Sequence, residues 1–101
     1  MIEKLTFEDF AAHLHEPFHV YYTESEYLEM MLKQVSHLGD EPAADEDRTQ
    51  AFSIIFQCPE KDKYLIQAIY KIKHEKMGDL DIFLVPLGPN KEGTQYEAIF
   101  N

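Results

Sequence analysis

The sequence contains one cysteine, no tryptophan and four glycines in 101 residues. Cys58 has no partner within the chain, so an internal disulfide is excluded and a reducing compartment is compatible with this composition. One thiol also cannot build a zinc site that needs several cysteines. The sequence places no histidine beside Cys58, so we interpret it as a packed thiol and not as a nucleophile.

Positive charge is equally scarce, with 9 lysines and arginines against 19 aspartates and glutamates and a formal net charge of -10 at pH 7. Nucleic acids and anionic membranes are bound mainly through basic side chains. We therefore expect no nucleic-acid partner and no membrane partner. The charge is typical of a well-solvated surface, and it permits a basic partner.

Long apolar runs are missing as well. The start of the chain, Met1–Thr6, has no basic stretch followed by an apolar one, and no later segment reaches the roughly 20 apolar residues of a membrane-spanning helix. The sequence therefore predicts a cytoplasmic protein. With 101 residues and 45% hydrophobic residues, it predicts one globular domain over residues 1–101 with a modest core.

Sequence signatures of enzymes and cofactor sites are absent, including glycine-rich phosphate loops, dinucleotide fingerprints and Ser-His-Asp patterns. His13, His15 and His19 lie close together, but His13 and His15 are two residues apart and would point to different sides of a helix, and Pro17 separates His19 from both. We therefore expect no cofactor and no metal ion. We also favour a protein that is not an enzyme.

Three consecutive strands between Gln50 and Leu87 organise the chain. Aromatic and β-branched residues fill 51–57 and 80–85, and clear alternation marks 64–74. Pro86 is expected to end the third strand, because proline has no N–H to donate to the ladder. The short connections predict neighbouring antiparallel strands.

The two sides of these strands differ in character. On the middle strand, one side is apolar and carries Ile66, Ala68, Tyr70 and Ile72. The other side is polar and carries Gln67, Lys71 and Lys73. On the first strand, Ile55 is apolar on the side away from Phe52 and Phe56. We therefore expect the first strand to be at least partly covered on both sides.

The best helix signal lies at residues 6–14, where apolar residues recur at helical spacing. Thr6 can cap the first turn, with Asp9 in the capping-box position, and Pro17 forces the helix to end. We expect this helix to close one end of a sheet or barrel with its phenylalanines.

Residues 18–22 alternate as a strand, whereas residues 27–38 fit two descriptions. Tyr27, Leu28, Met31 and Leu32 belong to a good helical stripe, but Leu28, Met30 and Leu32 also alternate as a strand would. Periodicity alone favours the helix.

Two polar loops are predicted from turn residues. Gly39–Arg48 carries five carboxylates, and Gly88–Thr94 precedes a last strand at Gln95–Asn101.

A set of motifs spans nearly the whole chain: Leu5-Thr6-Phe7 with Asp9-Phe10, Phe52-Ser53-Ile54-Ile55-Phe56, Gln67 with Ile69-Tyr70 and His74, the run from Gly78 to Pro86, and the ending from Tyr96 to Asn101. Together they resemble the small bacterial family catalogued as domain of unknown function six-nine-one-six. The resemblance implies no established activity, and it implies a gene neighbourhood shared with phage-tail-collar or tail-fibre proteins. It also implies a strand at 27–35, and on that ground we predict a strand there against the periodicity.

Tyr70 and His74 are the residues best placed to carry chemistry. They have the same strand parity, so in a closed barrel they could line one end of a pocket as acid and base, together with Tyr96 or Glu97. The simpler interpretation is that His74 binds the backbone of the following turn and that Tyr70 fills the core.

We predict a mainly β, α+β fold in which an N-terminal helix packs on a curled, mostly antiparallel sheet of about six strands, shaped as a small half-open barrel. The favoured function is a non-catalytic protein-binding or assembly module, linked to a phage-tail-like or fibre-like system. A protein partner or a second copy would bind at a sheet edge or at Tyr21 and Ile55. One alternative is a small-molecule-binding barrel or an enzyme that uses Tyr70 and His74. The other is an immunity-like protein that binds a basic partner through the acidic loop at 40–47.

Overall fold

The computed structural model of the chain describes residues 5–38 and 51–100. These residues form α1 Phe7–Ala11, β1 Pro17–Tyr21, β2 Tyr27–His37, β3 Phe52–Cys58, β4 Ala68–His74, β5 Gly78–Asn90 and β6 Gly93–Phe100. Neighbouring strands are all antiparallel and close into a barrel in the order β1-β2-β3-β6-β5-β4. The predicted fold class is confirmed, but the barrel is closed and not half-open. The acidic loop predicted at 39–48 lies outside the described residues.

Closure of the barrel changes which surfaces a partner can reach. Each of the six strands pairs with a neighbour on both sides, although β5 pairs with β6 only within residues 85–90 and its residues 78–84 pair with β4 alone. In the described residues, closure limits the sheet edge that the sequence predicts as one contact to such stretches. The outer side of the barrel and its two ends are the other surfaces that a partner can reach.

The helix begins with the predicted capping box. The Thr6 hydroxyl accepts a hydrogen bond from the Asp9 N–H at 3.2 Å, and the Asp9 carboxylate accepts one from the Thr6 N–H at 2.9 Å. Phe10 is fully buried and packs against Phe52 and Phe100. The helix closes one end of the barrel as predicted, although it ends already at Ala11.

Residues 27–37 form a strand, so the prediction drawn from the family resemblance is confirmed and the helical periodicity was misleading. Met30 and Leu32 are buried, but the register of β2 against β3 shifts between Leu32 and Gln34. Such a bulge adds one residue, so the inward side chains change from even to odd positions, and Val35 becomes the next one partly buried. This change of phase produces the spacing that resembles a helix.

The predicted ends of two strands are wrong. β4 begins at Ala68 and not at Tyr64, and Ile66 is 70% exposed outside the ladder. β5 does not stop at Pro86 but continues to Asn90, because a register shift between Pro86 and Gly88 accommodates the missing N–H.

The polar loop predicted at 88–94 is instead a tight β5–β6 hairpin, in which Asn90 stands opposite Gly93. Gly93 has a φ of 132°, and a Cβ atom at this position would overlap the carbonyl group of Cys58. Glycine is therefore required here both by the backbone conformation and by the close approach of β3.

Side chains fill the interior of the barrel. The largest fully buried ones are Tyr96, Phe10, Phe18, Phe52, Phe56, Met30, Leu32, Ile54, Ile72 and Leu84. Phe83, in contrast, lies on the outside. The barrel is thus a packed core in its described part, and its outer side and ends carry the surfaces available for binding. No helix in the described part of the chain has the length and apolar character needed to cross a membrane.

Candidate functional site

The four predicted pocket residues lie at different places on the barrel. Tyr70 and His74 are four residues apart on β4, which separates their Cα atoms by about 13 Å along the strand. His74 lies at the end closed by α1, and Tyr70 lies towards the other end. Tyr96 is fully buried, whereas Glu97 has the opposite strand parity and faces outward. The structure therefore does not bring His74 together with Tyr96 or Glu97.

Two tyrosine hydroxyls hold the segment that leads into β4. The Tyr96 hydroxyl accepts a hydrogen bond from the Leu65 N–H at 2.9 Å, and the Tyr70 hydroxyl donates one to the Ile66 carbonyl. Burial raises the pKa of both phenols, which moves them further from acid–base chemistry at neutral pH. These tyrosines fasten residues 65–66 across the end of the barrel opposite α1.

His74 is buried, with 2% of its side chain exposed, and both of its ring nitrogens have partners. Nδ1 accepts hydrogen bonds from the backbone N–H groups of Lys76 and Met77, each at 3.1 Å. Nε2 lies 2.8 Å from Oε1 of Glu16. Because Nδ1 accepts, Nε2 must carry the ring proton and donate it to the Glu16 carboxylate.

Glu16 joins separate parts of the chain. The same Oε1 atom accepts a second hydrogen bond, from Nδ1–H of His13 at 3.0 Å. The hydrogen bond from His74, together with the bond from His13, holds the pKa of Glu16 below its ordinary value, against the opposing effect of desolvation. We name His13, Glu16 and His74 the His–Glu cluster. It ties the segment after α1 to the turn between β4 and β5.

The local backbone explains why Glu16 arrives at this position. His15 has a φ of 71°, in the left-handed region, and its N–H donates to the Leu32 carbonyl at 2.7 Å. The Leu32 N–H donates in turn to the Glu16 carbonyl at 3.1 Å. On the facing side, Gly78 with a φ of 78° completes the turn whose N–H groups His74 binds. Two backbone turns therefore set the geometry of the cluster.

The His–Glu cluster has the composition of a metal site but not the hydrogen bonding of one. Its ligand atoms lie within 4.8 Å of one another. An imidazole that binds a metal through Nε2 carries its proton on Nδ1 and donates it to an acceptor. Nδ1 of His74 instead faces two N–H donors, from Lys76 and Met77. The residues therefore do not fit a metal ion in this arrangement.

The same hydrogen bonds bear on catalysis. A cleft with a volume of about 600 Å³ opens beside Glu16 and His74. His74 presents no free nitrogen to this cleft, because Nδ1 binds the turn and Nε2 binds Glu16. A general base needs a lone pair within reach of the proton that it removes. The arrangement supports a structural role for the cluster.

Glu16 was not predicted as a site residue, and His13 was considered only as a metal ligand. The i, i+3 spacing of His13 and Glu16 was a local signal, since residues at that spacing are neighbours in a helical turn. No local signal links Glu16 to His74, which lies 58 residues further along the chain. Only the pairing of β1 with β4 brings these two side chains together.

Tyr21, one of the two predicted interface residues, lines a groove on the outside of the barrel. The groove has a volume of about 480 Å³, and Tyr70 and Lys71 also line it. The Tyr21 ring packs beside Tyr27 with centroids 5.1 Å apart, and Nζ of Lys73 lies 5.1 Å from the Tyr21 centroid. The structure thus brings Tyr21 and Tyr70 to one aromatic groove with cationic side chains at its rim.

Ile55, the other predicted interface residue, is half-buried on the outer side of β3, opposite Glu97 of β6. Its neighbours on that side, Ser53 and Gln57, are buried, and the Gln57 amide exchanges hydrogen bonds with Asn90. As predicted, this strand is covered on both sides. Ile55 consequently offers a partner little exposed area.

Three apolar side chains that the sequence analysis did not single out lie uncovered on the outside of the barrel. Ile69 of β4 is 69% exposed and stands opposite Phe83 of β5, which is 47% exposed. On β6, the strand on the other side of β5, Ile99 is 56% exposed and lies two residues beyond Glu97, where the pairing with Val85 of β5 ends. We name Ile69, Phe83 and Ile99 the apolar row. Strand parity carried its signal, because inward residues of β4 and β5 have even numbers.

Charged pairs lie beside the apolar row on the same two strands. Lys71 stands opposite Asp81 and Lys73 opposite Asp79, and all four residues are exposed. In the described ranges, none of the four has an oppositely charged side chain within 4.0 Å. These four residues and the two members of the apolar row on β4 and β5 form the outer β4–β5 face. It carries two positive and two negative charges.

One family model matches the chain, and its description names no activity. The family model described as "Domain of unknown function (DUF6916)" matches residues 5–100, a range that includes all the elements of the barrel. Neither the curated proteins nor the solved structures give a match.

Proposed function

Because the chain belongs to the family described as domain of unknown function DUF6916, whose name assigns no activity, we propose its function from its surface. It acts as a non-catalytic protein-binding module that docks a protein partner on the outer side of β4, β5 and β6. The observation that carries this proposal is the apolar row, in which Ile69 and Phe83 stand opposite each other and Ile99 is exposed on the next strand, β6.

The continuity of the apolar row is what distinguishes it from ordinary surface exposure. Single exposed apolar residues are common on soluble proteins, whereas contiguous apolar patches mark sites of interaction. Aromatic residues are enriched in the buried centres of interfaces, where a few anchors supply most of the binding energy. Phe83 lies in the middle of the row, between Ile69 and Ile99, and is the natural anchor.

Other parts of the barrel support a docking surface on the outer side of β4, β5 and β6. The interior is filled, and both ring nitrogens of His74 are used within the chain. The predicted interface residues flank the row, with Tyr21 on β1 beside β4 and Ile55 on β3 beside β6. We assign them to the margins of the contact. A role in assembling a phage-tail-like or fibre-like structure is the specific form of this proposal that the family resemblance implies.

Site-specific photo-crosslinking in the native host tests the proposal. A photoreactive phenylalanine analogue replaces Phe83 in one variant and Met31 in a control. Met31 is a matched control because it is apolar, 39% exposed and on β2, outside the apolar row. We expect protein crosslinks from position 83 that position 31 does not give, identified by mass spectrometry.

The crosslinked protein also tests the finer proposal, because a tail or fibre protein would support the assembly role. If position 83 captures no protein beyond what position 31 captures, the proposed docking surface is wrong.

A small-molecule-binding function is a second candidate, which the aromatic groove at Tyr21 and Tyr70 supports. Its volume of about 480 Å³ falls within the range of known ligand pockets, which is about 300–1,000 Å³. The ligand would lie outside the barrel, and His74 would take no part. Native mass spectrometry of the protein purified from its host should then show a copurified molecule that the Tyr21→Ala variant loses. The same copurified molecule on both proteins, or none on either, would remove this candidate.

A further inference from the structure

Building on the proposed function, we infer that the partner on the outer β4–β5 face is a second copy of this chain. The two copies are related by a two-fold axis that runs parallel to β4 and β5, midway between them and just outside the sheet. The inference rests on the pairing of residues across this face, which is complementary to itself.

The geometry follows from the strand register. Rotation about such an axis lays β4 of one copy over β5 of the other at the same height along the strand. Each residue of β4 then meets, on the other copy, the residue that is its register partner within its own chain. The resulting pairs are Ile69 with Phe83, Lys71 with Asp81, and Lys73 with Asp79. Two-fold symmetry makes every pair occur twice.

Each of these pairs is favourable in chemistry. The first buries two exposed apolar side chains against each other, and the other two join opposite charges. Packed sheets lie about 10 Å apart, a spacing that long side chains such as lysine and phenylalanine bridge from the two facing surfaces. A face with lysines on both strands would repel its copy. The segregation of lysines to β4 and aspartates to β5 is what makes this face self-complementary.

The charge of the face favours a second copy over a strongly basic partner. The chain as a whole carries -10, which would attract a basic protein. The outer β4–β5 face itself balances two lysines against two aspartates, so it offers such a partner no net attraction. A copy of the same face matches it both in charge and in apolar content. Exposed apolar residues beyond this face, Leu87 further along β5 and Ile99 on β6, extend the contact towards the roughly 800 Å² per partner of a standard interface.

Charge swapping tests the inference on the purified full chain. Sedimentation equilibrium is measured for the wild type, for the Lys71→Asp and Asp81→Lys variants, and for an equal mixture of the two variants. The salt concentration is held at about 0.15 M, where the Debye length is about 8 Å and remote charges are largely screened. We expect the wild type to dimerise with increasing concentration. Each variant alone should associate roughly tenfold more weakly or worse, because two attractive pairs become repulsive.

The mixture is the decisive sample. In a heterodimer the aspartate introduced by one variant meets the lysine introduced by the other, and the remaining Asp81 of the first meets Lys71 of the second. The mixture should therefore recover a dimer that neither variant forms alone. Altered folding of either variant cannot produce this recovery. Circular dichroism of each variant confirms the fold, and Phe83→Lys supplies a further change that should leave the chain monomeric.

Three results would overturn the inference: a wild type that stays monomeric at every concentration, variants that dimerise as the wild type does, or a mixture that shows no recovery. The proposed function is tested separately by the crosslinks from position 83. If those crosslinks capture a different protein while the pure chain remains monomeric, the second copy is wrong and protein binding stands. If position 83 captures nothing, both proposals fail.

Discussion

The inner and outer sides of the β4–β5 hairpin belong to the same two strands but differ in how their side chains are partnered. On the inner side His74 has hydrogen bonds at both ring nitrogens, and in the described ranges no buried side-chain nitrogen or oxygen lacks a partner. On the outer side, Ile69 and Phe83 are left exposed to water. The polar groups inside therefore serve the fold. The apolar groups outside are the ones free to serve binding.

Two phenylalanines, one inside the barrel and one on its outer surface, should differ most in their contribution to stability. Phe56→Ala should lower the free energy of unfolding by about 3–5 kcal/mol, because it removes a fully buried ring from the packed interior. Phe83→Ala should change it by no more than about 1 kcal/mol, because that ring is already half-exposed. Urea unfolding at neutral pH measures both variants. A large loss in Phe83→Ala would mean that the outer ring supports the fold, and the proposed function would lose its main argument.

The next effect concerns the His–Glu cluster. His74→Phe keeps an aromatic ring beside Phe18 but leaves the N–H groups of Lys76 and Met77 without their acceptor. We expect a loss of about 2–3 kcal/mol in urea unfolding. His19→Phe is the control, since His19 has a 37% exposed side chain, and it should stay within about 0.5 kcal/mol of the wild type. Equal losses in the two variants would contradict the structural role of His74.

The smallest effect is a pH dependence that Glu16 contributes. Its folded-state pKa is lowered, chiefly by the hydrogen bond from His74, so the unfolded chain binds the proton more readily. The stabilisation is complete above the ordinary glutamate pKa of 4.5 and is lost as the pH falls below it, towards the folded-state value. Thermal unfolding is measured for the wild type and for Glu16→Gln from pH 6 downwards. The difference between their Tm values should become smaller in that acidic range. A gap that stays constant with pH would show that the carboxylate contributes no ionisation-linked stability.

Local physics made some features of this barrel predictable. The capping box of Thr6 and Asp9 needs only residues three apart, and the placement of Phe52 and Phe56 on one side of β3 needs only the alternation of a strand. These features depend on neighbours in the sequence. They were predicted correctly for that reason.

Features that depend on strand register were predicted poorly. The bulge between Leu32 and Gln34 makes a strand resemble a helix in its periodicity, and the register shift after Pro86 lets a strand continue beyond a proline. Neither shift has a signal within its own strand, because it is defined by the strand opposite. The corrected boundaries of β4, β5 and the hairpin at Gly93 all follow from such pairings.

The candidate site also contains features that depend on sequence neighbours and features that depend on strand register. The exposure of Ile69 and Phe83 could have been predicted from strand parity, since both residues share the parity of charged neighbours. The link between Glu16 and His74 could not, because it joins residues 58 positions apart through the pairing of β1 and β4. Tyr70 and His74 have the same parity, yet the length of the strand between them keeps them from forming one pocket.

Local sequence patterns were enough to predict the mainly β composition, the capped helix at the start and the alternation that separates inner from outer residues. These follow from chain stereochemistry and from the cost of burying polar groups, which act locally. Tertiary contacts were needed for the sheet to close, for Nε2 of His74 to donate a hydrogen bond to Glu16, and for the lysines of β4 to lie opposite the aspartates of β5. Those outcomes require strands distant in sequence to meet in one register, and that register is chosen by the packing of the whole core.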